Sequence, residues 1–235
     1  MTPAPANLLS RFIGVVFSPR ATFLGIVAAP RWIGMLVLIA VFMSLATFLF
    51  LSTEVGRQAL LDQQVSTMES FGMTVTDEVY SQMEGRLSFA QYTGSIVQFF
   101  TLPIMYVIIA GILFAVFSAA MGGEAAFKQV FTVVVHSGAV SVVQQLFVLP
   151  LNYVRESMSS PTNIAALLPM VPEGSFLAYL LGAIDIFVIW WVMVLAIGLA
   201  VLYRRRTQPV AVTLLVIYAV IAVAIAGVRS WMGGS

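Results

Sequence analysis

Residues 211–226 read Ala-Val-Thr-Leu-Leu-Val-Ile-Tyr-Ala-Val-Ile-Ala-Val-Ala-Ile-Ala, a run with no charge and with Thr213 and Tyr218 as its only polar side chains. Strands of a membrane barrel alternate apolar and polar residues over about ten positions. This run does not alternate, so it is a helix. Its flanks, Arg206 and Arg229, enclose the uncharged stretch 207–228, and about 20 apolar helical residues cross a bilayer.

The same device, measuring the gaps between charges, finds four more stretches. Arg31 and Glu54 enclose 32–53, Arg86 and Glu124 enclose 87–123, and Lys128 and Arg155 enclose 129–154. Glu173 and Arg204 enclose 174–203, interrupted only by Asp185. The predicted architecture is an all-α membrane protein, a bundle of five transmembrane helices with cores at about 33–51, 96–120, 130–151, 176–203 and 210–228. The whole chain, 1–235, is expected to form one membrane domain. Composition agrees: 60% of residues are hydrophobic, 9% are charged, and the mean hydropathy is +1.01. A soluble domain carries roughly 25% charged residues. A formal charge of +1 implies no polyanionic partner such as nucleic acid, and zero Cys excludes disulfides and thiolate metal sites.

The first span starts after Arg11, Arg20 and Arg31 and lacks a small-residue cleavage site, so it is expected to be retained and not a signal peptide. Lys and Arg then set orientation. With the N-terminus cytoplasmic, Arg11, Arg20, Arg31, Lys128 and Arg204–Arg206 lie inside, against Arg57, Arg86, Arg155 and Arg229 outside. Five crossings place the C-terminus outside, and the expected location is the cytoplasmic (inner) membrane.

Between the spans, Leu8–Pro30 reads as two short amphipathic helices, with Ser18-Pro19 as the cap and first position of the second. They either lie on the inner leaflet or pack against the cytoplasmic ends of the spans. The outer loop 52–91 reads as a helical hairpin, broken at Gly72 and restarted by the cap Thr76 before Asp77-Glu78. Its six acids suit either a solvated helix face or a cation site. The second outer loop, Arg155–Gly174, holds Pro161, Pro169 and Pro172 and is expected to be irregular.

Three groups of residues carry a family resemblance. They are Phe17-Ser18-Pro19-Arg20-Ala21-Thr22-Phe23 with Pro30-Arg31-Trp32; Met121-Gly122-Gly123-Glu124-Ala125-Ala126-Phe127-Lys128-Gln129 leading to His136-Ser137; and Asp185, Trp190-Trp191 and Gly198-Leu199 before the arginine cluster. In these the chain resembles bacterial members of the YIP family, the Ypt/Rab-GTPase-interacting membrane proteins. The resemblance implies five spans with the N-terminus inside. Eukaryotic relatives are tied to Rab GTPases and early secretory traffic through a long cytosolic N-terminal region carrying an Asp-Leu-Tyr-Gly-Pro-type motif. Here Ala28-Ala29-Pro30-Arg31-Trp32 stands instead, and the trafficking role is not carried over. Bacterial relatives are mostly of undefined biochemical activity, with transport considered for some.

Polar residues at membrane depth mark the candidate site. Asp185 lies nine residues into the fourth span, where an Asp costs about 2.5–3.5 kcal/mol, so it must pair, protonate or face water. Ser137, Ser141, Gln144, Gln145 and Asn152 share much of one stripe of the third span, with His136 beside it. Gln98 and Thr101 on the second span are placed to face that stripe, and Pro103 loosens backbone carbonyls there. Asp185, His136, Gln98, Gln144, Gln145 and Ser141 are therefore either interhelical hydrogen-bond glue or the lining of a polar cavity. His136, the only histidine, is ordinarily a satisfied buried residue, though its pKa range leaves a proton relay open.

No paired intramembrane carboxylates, nucleophile elbow, Walker loop or dinucleotide fingerprint is present in the sequence, and no catalytic, metal or cofactor role is expected. The expected function is membrane organisation or protein interaction, with membrane lipids and either further copies of the chain or another membrane protein as partners. The alternative is a small transporter or carrier of an ion, a proton-coupled solute or a lipid, built around Asp185. A lipid-moving protein would show a lateral groove drawn from its 17 Phe and 12 Met.

Overall fold

In the computed structural model, residues 7–120, 122–168, 170–172 and 174–233 are described; Met121, Pro169 and Glu173 of the motifs and loops above, and the first six residues, lie outside them. The described residues are mostly helical, with no strand among them. In chain order the helices are α1 Leu8–Phe17, α2 Pro19–Ala28, α3 Ile33–Leu51, α4 Glu54–Ser70, α5 Asp77–Arg86, α6 Ala90–Phe114, α7 Phe127–Ser137, α8 Ala139–Val154, α9 Phe176–Ala183, α10 Ile186–Leu202 and α11 Thr207–Gly233.

Four helical stretches are long and apolar enough to cross a membrane: Ile33–Leu51, Asp77–Ser118, Phe127–Val154 and Thr207–Met232. Their outward faces are apolar. On α3, Val37, Val41, Leu45 and Leu49 are exposed at intervals of four while Met35, Ile39, Ala46 and Phe50 are buried. On α11, Val212, Val216, Val220 and Val223 are exposed while Leu214, Ala222 and Ala226 are buried. Helices with apolar side chains on both faces belong in hydrocarbon, where the backbone must be satisfied within the helix. Pro103 sits inside α6 without ending it, and the run closes in a π-helical turn, Ala115–Ala120.

The expected fourth span, 176–203, differs from a single helix. It breaks into α9, 8 residues, and α10, 17 residues, at Ile184-Asp185. The third is also divided, by Gly138 between α7 and α8. There α6 approaches so closely that a Cβ on Gly138 would overlap the Tyr106 hydroxyl, which itself bonds to Ser141.

Residue contacts cluster into two compact units. The first comprises residues up to Met43, Gln98–Val143 and Trp190–Leu215. Its core is apolar: Val15 of α1, Phe23 and Ile26 of α2, Val130, Val133 and Val134 of α7 and Leu195 and Leu199 of α10 are all buried. Gly198 permits the contact at its centre. A Cβ there would stand 2.6 Å from Val133 Cγ1 and 3.0 Å from Phe23 Cζ. The amphipathic helices α1 and α2 therefore pack into the unit, while Leu9, Ile13, Phe17 and Leu24 leave an exposed apolar face, so packing and an open face coexist. Pro19 occupies the first turn as expected, but the Ser18 side chain makes no cap bond. The Ser18 carbonyl instead accepts from both the Thr22 amide and Thr22 Oγ1.

The second unit comprises Ser44–Val97, Gln144–Ile189 and the chain from Val216. The expected helical hairpin is there. Thr53 Oγ1 accepts from the Gly56 amide at 3.0 Å to cap α4, Gly72 turns the chain at φ +73, and Thr76 Oγ1 caps α5 through the Val79 amide. Helix α4 is anchored by Ala59, which packs with Phe50, Leu51 and Ala90. Helix α5 buries no residue and continues through a short 3-10 turn, Leu87–Phe89, into α6.

Candidate functional site

The break at Ile184-Asp185 explains how an acid is tolerated in an apolar run. Asp185 is not mid-helix. It stands at the N-cap position of α10, and its Oδ1 accepts from the Phe187 amide at 2.8 Å; the Val188 amide bonds to it as well. These are two of the four amides that the first turn of any helix leaves unpaired. The other oxygen, Oδ2, accepts from Ser160 Oγ at 2.5 Å and from Thr162 Oγ1 at 2.6 Å. Both hydroxyls come from the proline-containing loop before α9. The backbone reinforces the junction: Ile164 donates to the Ile184 carbonyl at 3.0 Å and Ile186 to the Thr162 carbonyl at 3.4 Å, around a single bridge pairing Asn163 with Asp185. On the far side of the break, Tyr218 Oη donates at 2.5 Å to the Ala183 carbonyl, one of the acceptors left open at the end of α9. Asp185 is 4% exposed.

The remaining expected site residues do not join this cluster. His136 and Ser141 belong to the first unit, as does Gln98; Gln144 and Gln145 belong to the second. His136 is fully buried on α7, its Nδ1 2.8 Å from the Thr132 carbonyl one turn back. Its Nε2 has no hydrogen-bond partner among the described residues, so the expected satisfied histidine is satisfied at one nitrogen. Neighbouring hydroxyls behave in the same local way: Thr132 Oγ1 donates to the Lys128 carbonyl and Ser137 Oγ to the Val133 carbonyl. Gln98, Gln144 and Gln145 are half-buried. The four bonds to the Asp185 carboxylate come from Ser160, Thr162, Phe187 and Val188, and none from these glutamines. Among the described residues no three acids or histidines converge as a metal site requires.

Sequence reasoning missed Ser160 and Thr162, which lie 25 and 23 residues from Asp185. One signal was available. A lone Asp followed by a long apolar run is what a helix N-cap looks like.

Such a set of bonds joins a loop to two helix ends. Four apolar helical stretches of spanning length define a polytopic α-helical membrane protein. The model of the Yip1 domain matches residues 13–228, and the chain belongs to that family. No curated protein and no solved structure matches it.

Proposed function

We propose that this chain is a membrane-organising or protein-interaction member of the Yip1 family, oligomeric and not an enzyme. We further propose that it is of bacterial type and crosses the cytoplasmic membrane five times, with its N-terminus inside and its C-terminus outside. The observation that carries the role is the state of Asp185. Its oxygens accept two hydroxyls and two amides, and it is almost wholly buried. A carboxylate that must bind and release a proton or cation needs an unfilled acceptor or access to water. Asp185 instead closes a joint between the loop and α10. The fifth crossing rests on α10, whose 17 residues span about 25 Å at 1.5 Å each, short of the roughly 30 Å hydrocarbon. The bonded loop and α9 would make up the difference. Orientation rests on the arginine cluster Arg204–Arg206 beside α11.

Proteoliposomes carrying the wild-type chain or Asp185→Asn are expected to pass protons and monovalent cations no faster than protein-free vesicles under an imposed pH gradient. A flux present in wild type and abolished by Asp185→Asn would replace this role with that of a carrier. Cross-linking of single-cysteine variants in membranes is expected to yield covalent oligomers, and monomer alone would remove the oligomer from the proposal.

A further inference from the structure

Within the first unit lies a cavity of about 750 Å3, in the size range of small-molecule sites, roughly 300–1,000 Å3. Leu24 and Val27 of α2 supply apolar wall; the exposed Glu124, Arg204 and Arg205 supply charge at its rim, and Tyr203 also lines it. The arginines follow α10 and immediately precede α11, a helix of spanning length. With α11 in lipid they stand at the boundary between hydrocarbon and water, where long cationic side chains reach head groups.

Two features indicate that this lining is built for a ligand. The first is the backbone at Arg204, which has φ +52. The turn is a Schellman motif: the Arg205 amide donates to the Ala200 carbonyl at 2.8 Å and the Arg204 amide to the Val201 carbonyl at 3.3 Å. Glycine fills that left-handed position by default because any Cβ is strained there, yet an arginine stands in it. Strain of this kind persists where the surrounding structure over-determines it, and it clusters at ligand clamps. The second is the rigidity of the wall. The Tyr203 ring stacks on Phe117 at 5.5 Å, its hydroxyl bonds Ser118 Oγ at 2.9 Å, and Gly123 lies so close that a Cβ would overlap the ring. Gly122 turns the chain there at φ +66.

We infer that this cavity binds the headgroup of an amine-bearing phospholipid, of the phosphoethanolamine type. The phosphate lies with Arg204 and Arg205, the ammonium with Glu124, and an acyl chain along Leu24 and Val27. Two cations and one carboxylate match a headgroup that carries a phosphate and an ammonium. A purely anionic headgroup would meet the Glu124 carboxylate, and a free phosphate would leave the apolar wall uncovered. The inference goes beyond the organising role and does not depend on it.

The test is native mass spectrometry of the full chain in detergent micelles, titrated with dioleoyl phosphatidylethanolamine, dioleoyl phosphatidylglycerol and free phosphoethanolamine. Wild type is expected to retain the ethanolamine lipid in preference to the glycerol lipid, and not to retain free phosphoethanolamine. Arg204→Gly is the decisive variant, because it removes the side chain where glycine suits the backbone. It should keep or raise the melting temperature while weakening lipid binding by about tenfold, the effect of losing one charge-assisted contact. Arg205→Gln should weaken binding similarly, and Glu124→Gln should erase the preference over phosphatidylglycerol. Wild-type affinity in both arginine variants would overturn the site. Equal retention of both lipids by wild type, or tight binding of free phosphoethanolamine, would overturn the assigned ligand.

Discussion

The two units solve the same problem in different ways. In the first, the polar side chains of α7 turn back on their own helix: His136, Ser137 and Thr132 each bond a carbonyl one turn earlier; the helices meet through apolar contacts at Gly198 and Phe23, with Tyr106–Ser141 and Ser118–Tyr203 as bonds between helices. In the second, polar groups reach across the sequence. Asp185 collects Ser160 and Thr162, and Tyr218 donates to Ala183. Without a hydrophobic force between helices in lipid, either close packing or hydrogen bonds must supply cohesion. Packing dominates at the Gly198 contact in one unit, and bonds dominate at the Asp185 joint in the other.

The comparison can be broken by substitution. Phe23→Ala should have the largest effect, about 3–5 kcal/mol for a fully buried aromatic, read as a fall in thermal midpoint in detergent with accelerated hydrogen exchange in α2 and α7. Asp185→Ala should cost about 2–3 kcal/mol, since it removes the acceptor of two hydroxyls, which can then bond only each other, and uncaps the first turn of α10. Its signature is exchange in peptides covering 160–188. Gly198→Ala, which must shift Val133 or Phe23, should cost about 1–3 kcal/mol. If Gly198→Ala were neutral, packing at that contact would not hold the first unit. Tyr218→Phe removes one bond and should cost about 1 kcal/mol. Arg204→Gly is the smallest effect and the only one of opposite sign, a gain of about 0.5 kcal/mol once relief of the left-handed backbone is set against the greater freedom of glycine in the unfolded chain.

The contrast also explains what could be seen in the sequence. Packing helices announce themselves as uncharged runs, and Ile33–Leu51 was bounded correctly by Arg31 and Glu54 alone. The hairpin was legible because Gly72 and Thr76 act through neighbours three residues away, whereas the Thr53 cap of α4 was not read from the sequence. The joint at Asp185 was not, because its partners are distant in sequence and sit in a loop with no periodic pattern. Charge gaps counted 174–203 as one stretch and so missed the break that Asp185 itself caps. Nor does any pattern reveal Arg204 in a left-handed turn, since glycine is the residue that marks such positions.

The most direct test of the structural role of Asp185 is a double-mutant cycle between Asp185→Ala and the pair Ser160→Ala with Thr162→Val, measured by reversible unfolding in bilayers or bicelles. Groups that act as one network lose their stabilisation together. The combined variant is therefore expected to be about as stable as Asp185→Ala alone, with a coupling of at least about 1 kcal/mol. Simple addition of the separate losses would contradict the joint and return Asp185 to the list of residues that need another reason to lie in an apolar run.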